Sequence, residues 1–164
     1  MRDETCIFTG HRVIPHSKYP ALEKLLHEQV RAFAERGILH FGSGGALGFD
    51  TLAAETVLEL RREMPNIKLS LYLPCRDQDK YWNREDRLRY AKLRRAADEV
   101  VFTGEEYTRQ CMHVRNRYMV DQARICLAFL EKDRGGTAYT VRYAKSQGLI
   151  IINLNDWLYD EGDA

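Results

Sequence analysis

The sequence Phe41-Gly42-Ser43-Gly44-Gly45-Ala46-Leu47-Gly48-Phe49-Asp50 leaves a short apolar run and enters a helical pattern through a cluster of glycines. Residues without a Cβ let the backbone turn sharply and approach an anion, and the free amides at a helix start favour negative charge. The stretch therefore predicts a strand, a phosphate-binding loop and a helix in succession. Tight packing of the strand against the helix would need the same glycines, so this structural alternative stays open.

Short apolar runs alternate with helical segments along the rest of the chain, which is typical of a mainly parallel sheet with helices on both faces. The runs predict six strands, at Thr5 to Thr9, Ile38 to Gly42, Lys68 to Leu73, Glu99 to Thr103, Ile125 to Leu130 and Leu149 to Leu154. Five helices are predicted between them, at Leu22 to Phe33, from near Gly48 to Met64, and at Arg84 to Ala97, Cys111 to Ala123 and Gly136 to Gln147. We therefore predict an α/β fold with a Rossmann-like, doubly wound, mainly parallel six-stranded sheet.

The composition predicts a single domain over residues 1–164, because 45% of the residues are hydrophobic and no repeat or linker divides the chain. The 25 Lys and Arg against 24 Asp and Glu leave a formal net charge of +1. No global field therefore points to nucleic acid or to an anionic membrane. No apolar run approaches the roughly 18 residues of a membrane span, and we expect a soluble, cytoplasmic protein.

The four cysteines, Cys6, Cys75, Cys111 and Cys126, form no CxxC pair. Structural zinc sites usually carry paired ligands about two to four residues apart. We therefore expect reduced, buried thiols and predict no metal site.

A second glycine loop, Arg134-Gly135-Gly136-Thr137, follows the fifth predicted strand and again leads into a helix. The first strand ends in Thr9-Gly10-His11-Arg12, which adds an imidazole and a guanidinium to one loop. The carboxyl ends of parallel strands gather at one edge of the sheet, where such folds bind ligands. One pocket is therefore predicted from these residues: Thr9, Gly10, His11, Arg12, Gly44, Gly45, Gly48, Gly135, Gly136 and Thr137.

The fourth predicted helix opens with Met112-His113-Val114-Arg115-Asn116. Arg115 and Asn116 lie near its start, where the helix meets the edge that carries the strand ends. A solvated arginine beside ordinary core methionines is the alternative interpretation. We predict Arg115 and Asn116 as ligand-binding residues, together with Asp50 at the end of the first glycine loop.

Four of these segments, Thr9 to Arg12, Gly44 to Asp50, Arg115 to Asp121 and Gly135 to Thr137, together resemble the YpsA-like branch of the SLOG superfamily. The resemblance covers nearly the whole chain in order. The superfamily also includes the cytokinin-activating phosphoribohydrolases called LOG and the DprA DNA-processing proteins. The resemblance implies a Rossmann-like fold and a nucleotide-derived ligand, with nicotinamide dinucleotide (NAD) or ADP-ribose-like molecules suggested for this branch; it establishes no cofactor.

LOG enzymes carry Met-His-x-Arg-Lys and then Pro-Gly-Gly-x-Gly-Thr-x-x-Glu, whose Arg and Glu act in cleaving the base from a nucleoside monophosphate. Met112 to Arg115 is similar to the first element, so the resemblance gives Arg115 the arginine role. In the second element Thr140 stands where the glutamate is expected. A threonine hydroxyl neither stabilises a ribosyl cation nor acts as a base near neutral pH. Cleavage would then need Asp50 or Asp121 beneath the ribose.

Two classes of function therefore stay open. A nucleotide-binding sensor or regulator is favoured over a LOG-like nucleoside 5′-monophosphate phosphoribohydrolase, because the second LOG element lacks its carboxylate. The sequence does not decide whether the chain is an enzyme, although Thr140 favours a non-catalytic role.

The third predicted helix is rich in arginine, and Tyr81 and Trp82 lie just before it. Basic and aromatic residues together are typical of single-stranded nucleic-acid binding. Acidic residues dilute this patch, so DprA-like DNA binding is the least favoured function. Stacking of Tyr81 or Trp82 on a ring of a small nucleotide ligand is preferred.

LOG-like relatives pair through helices beside the site, so the resemblance also predicts a homodimer. Tyr118, Met119 and Leu127 are the apolar and aromatic residues expected at its interface.

Overall fold

The structure, a computed structural model, describes residues 2–158. The strands are β1 (Thr5–Gly10), β2 (His40–Ser43), β3 (Lys68–Leu73), β4 (Glu99–Phe102), β5 (Ile125–Phe129) and β6 (Ile150–Asn153). The α-helices are α1 (Tyr19–Glu35), α2 (Phe49–Arg61), α3 (Arg84–Ala96), α4 (Cys111–Asp121) and α5 (Gly136–Ser146). Two 3-10 helices lie at Arg2–Glu4 and Leu154–Trp157.

The six strands form one sheet in the order β4-β3-β2-β1-β5-β6, and every neighbouring pair is parallel. Parallel neighbours need crossover connections, which the helices supply. The order runs outward from β1 in both directions, so the winding reverses between β1 and β5. The predicted Rossmann-like, doubly wound α/β fold with helices on both faces is confirmed.

Both faces of the central strands are apolar because helices cover both of them. On β1, Cys6 and Phe8 pack with the core beneath α1, α2 and α3, whereas Ile7 packs on the opposite face. Met119 and Val120 of α4 belong to that opposite cluster, together with residues of α5. A strand that is apolar at consecutive positions is therefore the expected sequence pattern for this sheet.

The second strand begins two residues later than the apolar run predicts, at His40 instead of Ile38. Gly37 adopts φ +98°, and the Ile38 N–H donates to the Phe33 carbonyl at 3.0 Å. Ile38 thus closes the carboxyl end of α1, which is a common use of a residue that follows a left-handed glycine.

Two of the three residues expected at a dimer interface lie in the core, and that assignment is wrong. Leu127 is fully buried in β5, which lies between β1 and β6, and Met119 is only 3% exposed on the inner face of α4. Tyr118 is the exposed member of the three, at 40%. All four cysteines are buried and free. Within residues 2–158, no helix is long and apolar enough to span a membrane.

Candidate functional site

A cleft of about 600 Å³ opens at the carboxyl edge of the sheet, where the winding reverses between β1 and β5. Ligands of doubly wound folds bind at such a switch point. Its walls come from the end of β1, the start of α4, the loop before α5 and two residues near α2. The lining residues are Thr9, Gly10, His11, Arg12, Ala46, Asp50, Met112, His113, Arg115, Asn116, Arg134, Gly135, Gly136 and Thr137.

The α5 loop, Arg134–Thr137, presents open backbone to this cleft. Gly135 has φ +91°, and a Cβ built on Gly135 or Gly136 would meet no atom within 4 Å. No side chain caps the start of α5. Within the described part of the chain, the amides of Gly136, Thr137 and Ala138 have no acceptor. Such amides, together with the helix dipole, form an anion-binding site.

The α2 loop, Gly44–Gly48, differs because two of its amides and the first amide of α2 are bonded inside the protein. The Gly45 N–H donates to Ser43 Oγ at 3.2 Å, and the Ala46 N–H donates to Asp50 Oδ2 at 3.3 Å. At the start of α2, the Phe49 N–H donates to the backbone carbonyl of His11 at 3.1 Å. The predicted Gly44, Gly45 and Gly48 are accordingly absent from the cleft lining.

Close packing explains the glycines of the α2 loop. Gly48 has φ +77°, and a Cβ there would overlap the backbone carbonyl of Arg12. A Cβ on Gly44 would lie 2.6 Å from Arg115 Nη1 and 2.9 Å from Asp50 Oδ2. The structural alternative left open by the sequence is therefore the one that the geometry supports for this loop.

Arg115 is buried, at 4% exposure, although it lines the cleft. Its Nη1 donates to the carbonyls of Gly44 at 2.7 Å and Tyr72 at 3.3 Å, and its Nε donates to Asn116 Oδ1 at 2.8 Å. The contact recorded for Nη2 is with the sulfur of Met112, at 3.6 Å. Burial lowers the pKa of Arg115, while the carboxylate of Asp50 acts in the opposite direction.

Asp50 is the buried carboxyl group of the cleft. Burial raises its pKa from 3.8 to about 6, and Arg115, the Ala46 N–H and Arg12 oppose that rise. Asp50 and Arg115 form no direct ion pair in the part of the chain that the structure describes. Both side chains pack against Gly44, where the side chain of a larger residue would overlap them. The two charges therefore lie close enough to interact.

His11 joins the elements around the cleft. Its Nε2 accepts a hydrogen bond from the Glu131 N–H at 2.8 Å, so the ring is neutral with its proton assigned to Nδ1. Burial lowers the pKa of His11, which favours this neutral form. The ring also packs edge-on against Phe129, with centroids 5.8 Å apart. The predicted His11 thus lies in the cleft, with one nitrogen already bonded to the chain.

Four cleft residues were not predicted from the sequence: Ala46, Met112, His113 and Arg134. His113 packs edge-on against Tyr139 with centroids 4.4 Å apart, and its Nδ1 is buried with no partner within residues 2–158. Two of them, Met112 and His113, belong to the Met-His-x-Arg pattern, which could have identified them. Arg134 lies next to the glycines of the α5 loop, and this position is the signal that could have found it.

Asp121 and Thr140 do not face the cleft. Asp121 is exposed near the end of α4 and accepts a hydrogen bond from the Tyr143 hydroxyl at 2.8 Å. Thr140 is buried, and its Oγ1 donates to the Gly136 carbonyl at 2.9 Å. The structure therefore brings Asp50 to the cleft and leaves Asp121 outside it.

The chain is similar in sequence to two Bacillus proteins over most of its length. The chain is 30% identical over 135 residues to the SPbeta prophage-derived protein YoqJ of Bacillus subtilis (strain 168), covering 75% of this chain and 79% of that protein. It is 28% identical over 138 residues to a UPF0398 protein of Bacillus cereus (strain B4264), covering 82% of this chain and 75% of the relative.

Two solved structures share the fold at 18% sequence identity. DNA processing protein A (DprA) from Streptococcus pneumoniae matches with a TM-score of 0.63 over 92% of this chain, which spans about half (49%) of that protein. DprA from Helicobacter pylori, described with its single-stranded DNA binding mode, matches with a TM-score of 0.64 over 99% of this chain and 74% of its own.

The model of the YpsA family, described as the YspA SLOG family, matches residues 4–149. That match includes the whole of the cleft and all the segments that carry the resemblance in the sequence. The chain belongs to the YspA SLOG family.

Proposed function

We propose that this protein binds a nucleotide-derived ligand in the cleft, with a phosphate on the α5 loop. Within residues 2–158, the unpaired amides of Gly136 and Thr137, two residues of the cleft lining, are the observation that carries this proposal. Arg12 and Arg134 line the same cleft, and both are exposed. Guanidinium groups and helix amides together bind the oxygens of a phosphate strongly.

The size of the cleft suits one nucleotide unit. Ligand pockets usually measure about 300 to 1,000 Å³, and this cleft measures about 600 Å³. Arg115 supports the site from within, because its Nη1 holds the carbonyls of Gly44 and Tyr72 and so positions the start of α4.

We infer that the ligand is kept intact and that the protein acts as a sensor or regulator. Among the described residues that line the cleft, Asp50 is the only carboxyl group. Its Oδ2 accepts the Ala46 N–H, and the side chain is only 7% exposed. These contacts favour a structural role for Asp50 over attack on a ribose.

LOG-like cleavage of a nucleoside monophosphate is the second candidate, and one observation favours it. Asp50 has a pKa raised to about 6, which is suitable for a general acid that protonates a departing base. Strand binding in the manner of the H. pylori DprA is the third candidate. The arginines of α3 weaken it because two of them are already paired, Arg89 with Glu55 and Arg87 with Asp79.

Isothermal titration with pyrophosphate, AMP, ADP-ribose and NAD tests the binding proposal, alongside chromatography for released base. Gly136→Asp places a carboxylate among the open amides and should abolish binding. Gly136→Ala is the matched control, because it adds no charge and its Cβ has free space. We expect micromolar binding by the wild type and by Gly136→Ala, with no base released.

Wild-type protein that binds none of the four compounds would refute the binding proposal, as would equal binding by Gly136→Asp. If the wild type releases adenine rapidly from AMP and Asp50→Asn does not, the protein is a hydrolase and not a sensor.

A further inference from the structure

A second cavity of about 510 Å³ adjoins the cleft, and Arg12 and Met112 line both spaces. Three aromatic side chains surround the second cavity: Tyr81, Trp82 and Tyr107. The two spaces differ in chemistry, since the cleft carries open amides and guanidinium groups whereas the second cavity carries rings. Arg12 stands at the junction.

Two of the three rings of the second cavity are largely exposed. Tyr81 is 89% exposed and Tyr107 is 69% exposed. Trp82 is held in place by Tyr90, with centroids 5.1 Å apart and an edge-to-face angle of 79°. Exposed apolar side chains that share one concavity mark a binding surface more often than scattered ones do.

Gln78 lines this cavity and carries a hydrogen-bond acceptor without a partner in the described part of the chain. Its Nε2 donates to the Gly44 carbonyl at 3.4 Å and to the Tyr90 hydroxyl at 3.3 Å. Its Oε1 is buried and has no donor among residues 2–158. An N–H group of a heterocyclic ring is a suitable partner for such an oxygen.

We propose that the second cavity is a ring-binding subsite and that the ligand spans both spaces. The phosphates would lie between the α5 loop and Arg12, and a planar base would stack on Tyr81 and Tyr107. This inference rests on the proposed function and narrows it to a ligand with two nucleoside ends joined by a pyrophosphate. A mononucleotide would fill only one of the two spaces.

The charges favour a bridged dinucleotide over a nucleic-acid strand. Strand-binding grooves carry positive charge along the backbone path. Here Lys80 is accompanied by Asp77 in the second cavity, so no net positive charge continues beyond Arg12. The positive groups are concentrated in the cleft, as a single pyrophosphate requires.

The double variant Tyr81→Ala/Tyr107→Ala tests the subsite by isothermal titration with NAD, AMP and pyrophosphate. Loss of base stacking should weaken NAD binding about tenfold and leave pyrophosphate binding unchanged. Tyr118→Ala is the matched control, because Tyr118 is exposed and lines neither space. Unchanged NAD binding by the double variant, or equal weakening of pyrophosphate, would overturn the subsite.

Tryptophan fluorescence supplies an independent readout. The chain has two tryptophans, so a Trp157→Phe background leaves Trp82 as the single reporter. NAD should change Trp82 emission and pyrophosphate should not. If a dT8 oligonucleotide binds more tightly than NAD and loses affinity in the double variant, the second cavity binds a nucleic-acid strand and not a dinucleotide. If pyrophosphate binds, and NAD binds no more tightly and leaves Trp82 emission unchanged, the subsite alone is refuted. If none of the compounds binds, the proposed function is refuted.

Discussion

The two glycine loops follow parallel strands and lead into helices, yet they differ in what their amides contact. At the α2 loop, the amides of Gly45, Ala46 and Phe49 are bonded within the protein, to Ser43, Asp50 and the carbonyl of His11. The α5 loop leaves its amides open, and its glycines have free space around them. Glycine thus serves close packing in the first loop and access in the second.

This difference shows why a glycine pattern alone predicts phosphate binding poorly. Both helix starts offer amides in principle, but a nearby side chain or carbonyl can bind them first. Asp50 acts in this way toward Ala46, since its carboxylate occupies the position that an anion would take.

Substitution of alanine for glycine should separate the loops by stability. Gly48→Ala should lower the free energy of unfolding by about 3 kcal/mol or more, because it combines a left-handed backbone with overlap at Arg12. Gly136→Ala should change it by less than about 1 kcal/mol, in the stabilising direction. Urea denaturation followed by circular dichroism measures both. Equal losses in the two variants would contradict the contrast.

The α2 loop should also respond to pH through Asp50. An acid whose pKa is about 6 in the folded protein and 3.8 in its ordinary state holds a proton that the unfolded chain releases. Its contribution to stability is therefore largest at low pH and declines as pH rises from about 4 to 6. Relative to Asp50→Asn, the wild type should lose up to about 3 kcal/mol between pH 4 and 7.

Urea denaturation of both proteins across that range gives the comparison. If the stability of the wild type and of Asp50→Asn changes with pH in the same way, the pKa of Asp50 is not raised in the folded protein. Because no carboxylate caps the α5 loop, Gly136→Ala should follow the wild-type pH profile throughout.

Thr140 gives a smaller effect within the α5 helix. Its hydroxyl bonds the Gly136 carbonyl, so Thr140→Val should reduce stability by about 1 kcal/mol. The open amides and the cleft lining are unchanged, so we expect ligand affinity to stay within twofold of the wild type. Thermal denaturation and titration with pyrophosphate check the two parts. A large loss of affinity would place Thr140 in the binding machinery.

His11 gives the smallest expected effect, because its side chain is only partly buried. Its pKa is lowered from 6.5 by burial, so the neutral ring stabilises the fold above pH 6.5 and that contribution is lost as pH falls. An NMR titration of the histidine ring protons should give a value below 6.5 for the signal that disappears in His11→Gln. A value above 6.5 would mean that the bond from the Glu131 N–H does not persist in solution.

Local patterns were sufficient to predict most of the fold. Apolar runs such as Ile125 to Leu130 indicate buried strands, and the segments between them have the spacing of helices. These signals depend on near neighbours in the chain, and parallel strands separated by helices allow few topologies. Arg115, Asn116 and the α5 loop were predicted for the same reason, since each lies next to a strand end or a helix start.

Long-range contacts decided the rest of the candidate site. The first amide of α2 is unavailable because the carbonyl of His11, from a different segment, accepts its hydrogen bond. Leu127 is buried because β5 lies inside the sheet, between β1 and β6.

The amino-acid sequence by itself determined the strands, the helices and the edge of the sheet where a ligand would bind. Only the tertiary structure decided that Asp50 faces the cleft while Asp121 bonds Tyr143 outside it, and that the α5 loop is the open one. The physical reason is that backbone periodicity is a local property. The satisfaction of an amide or a carboxylate depends on partners that the folded chain brings from far along the sequence.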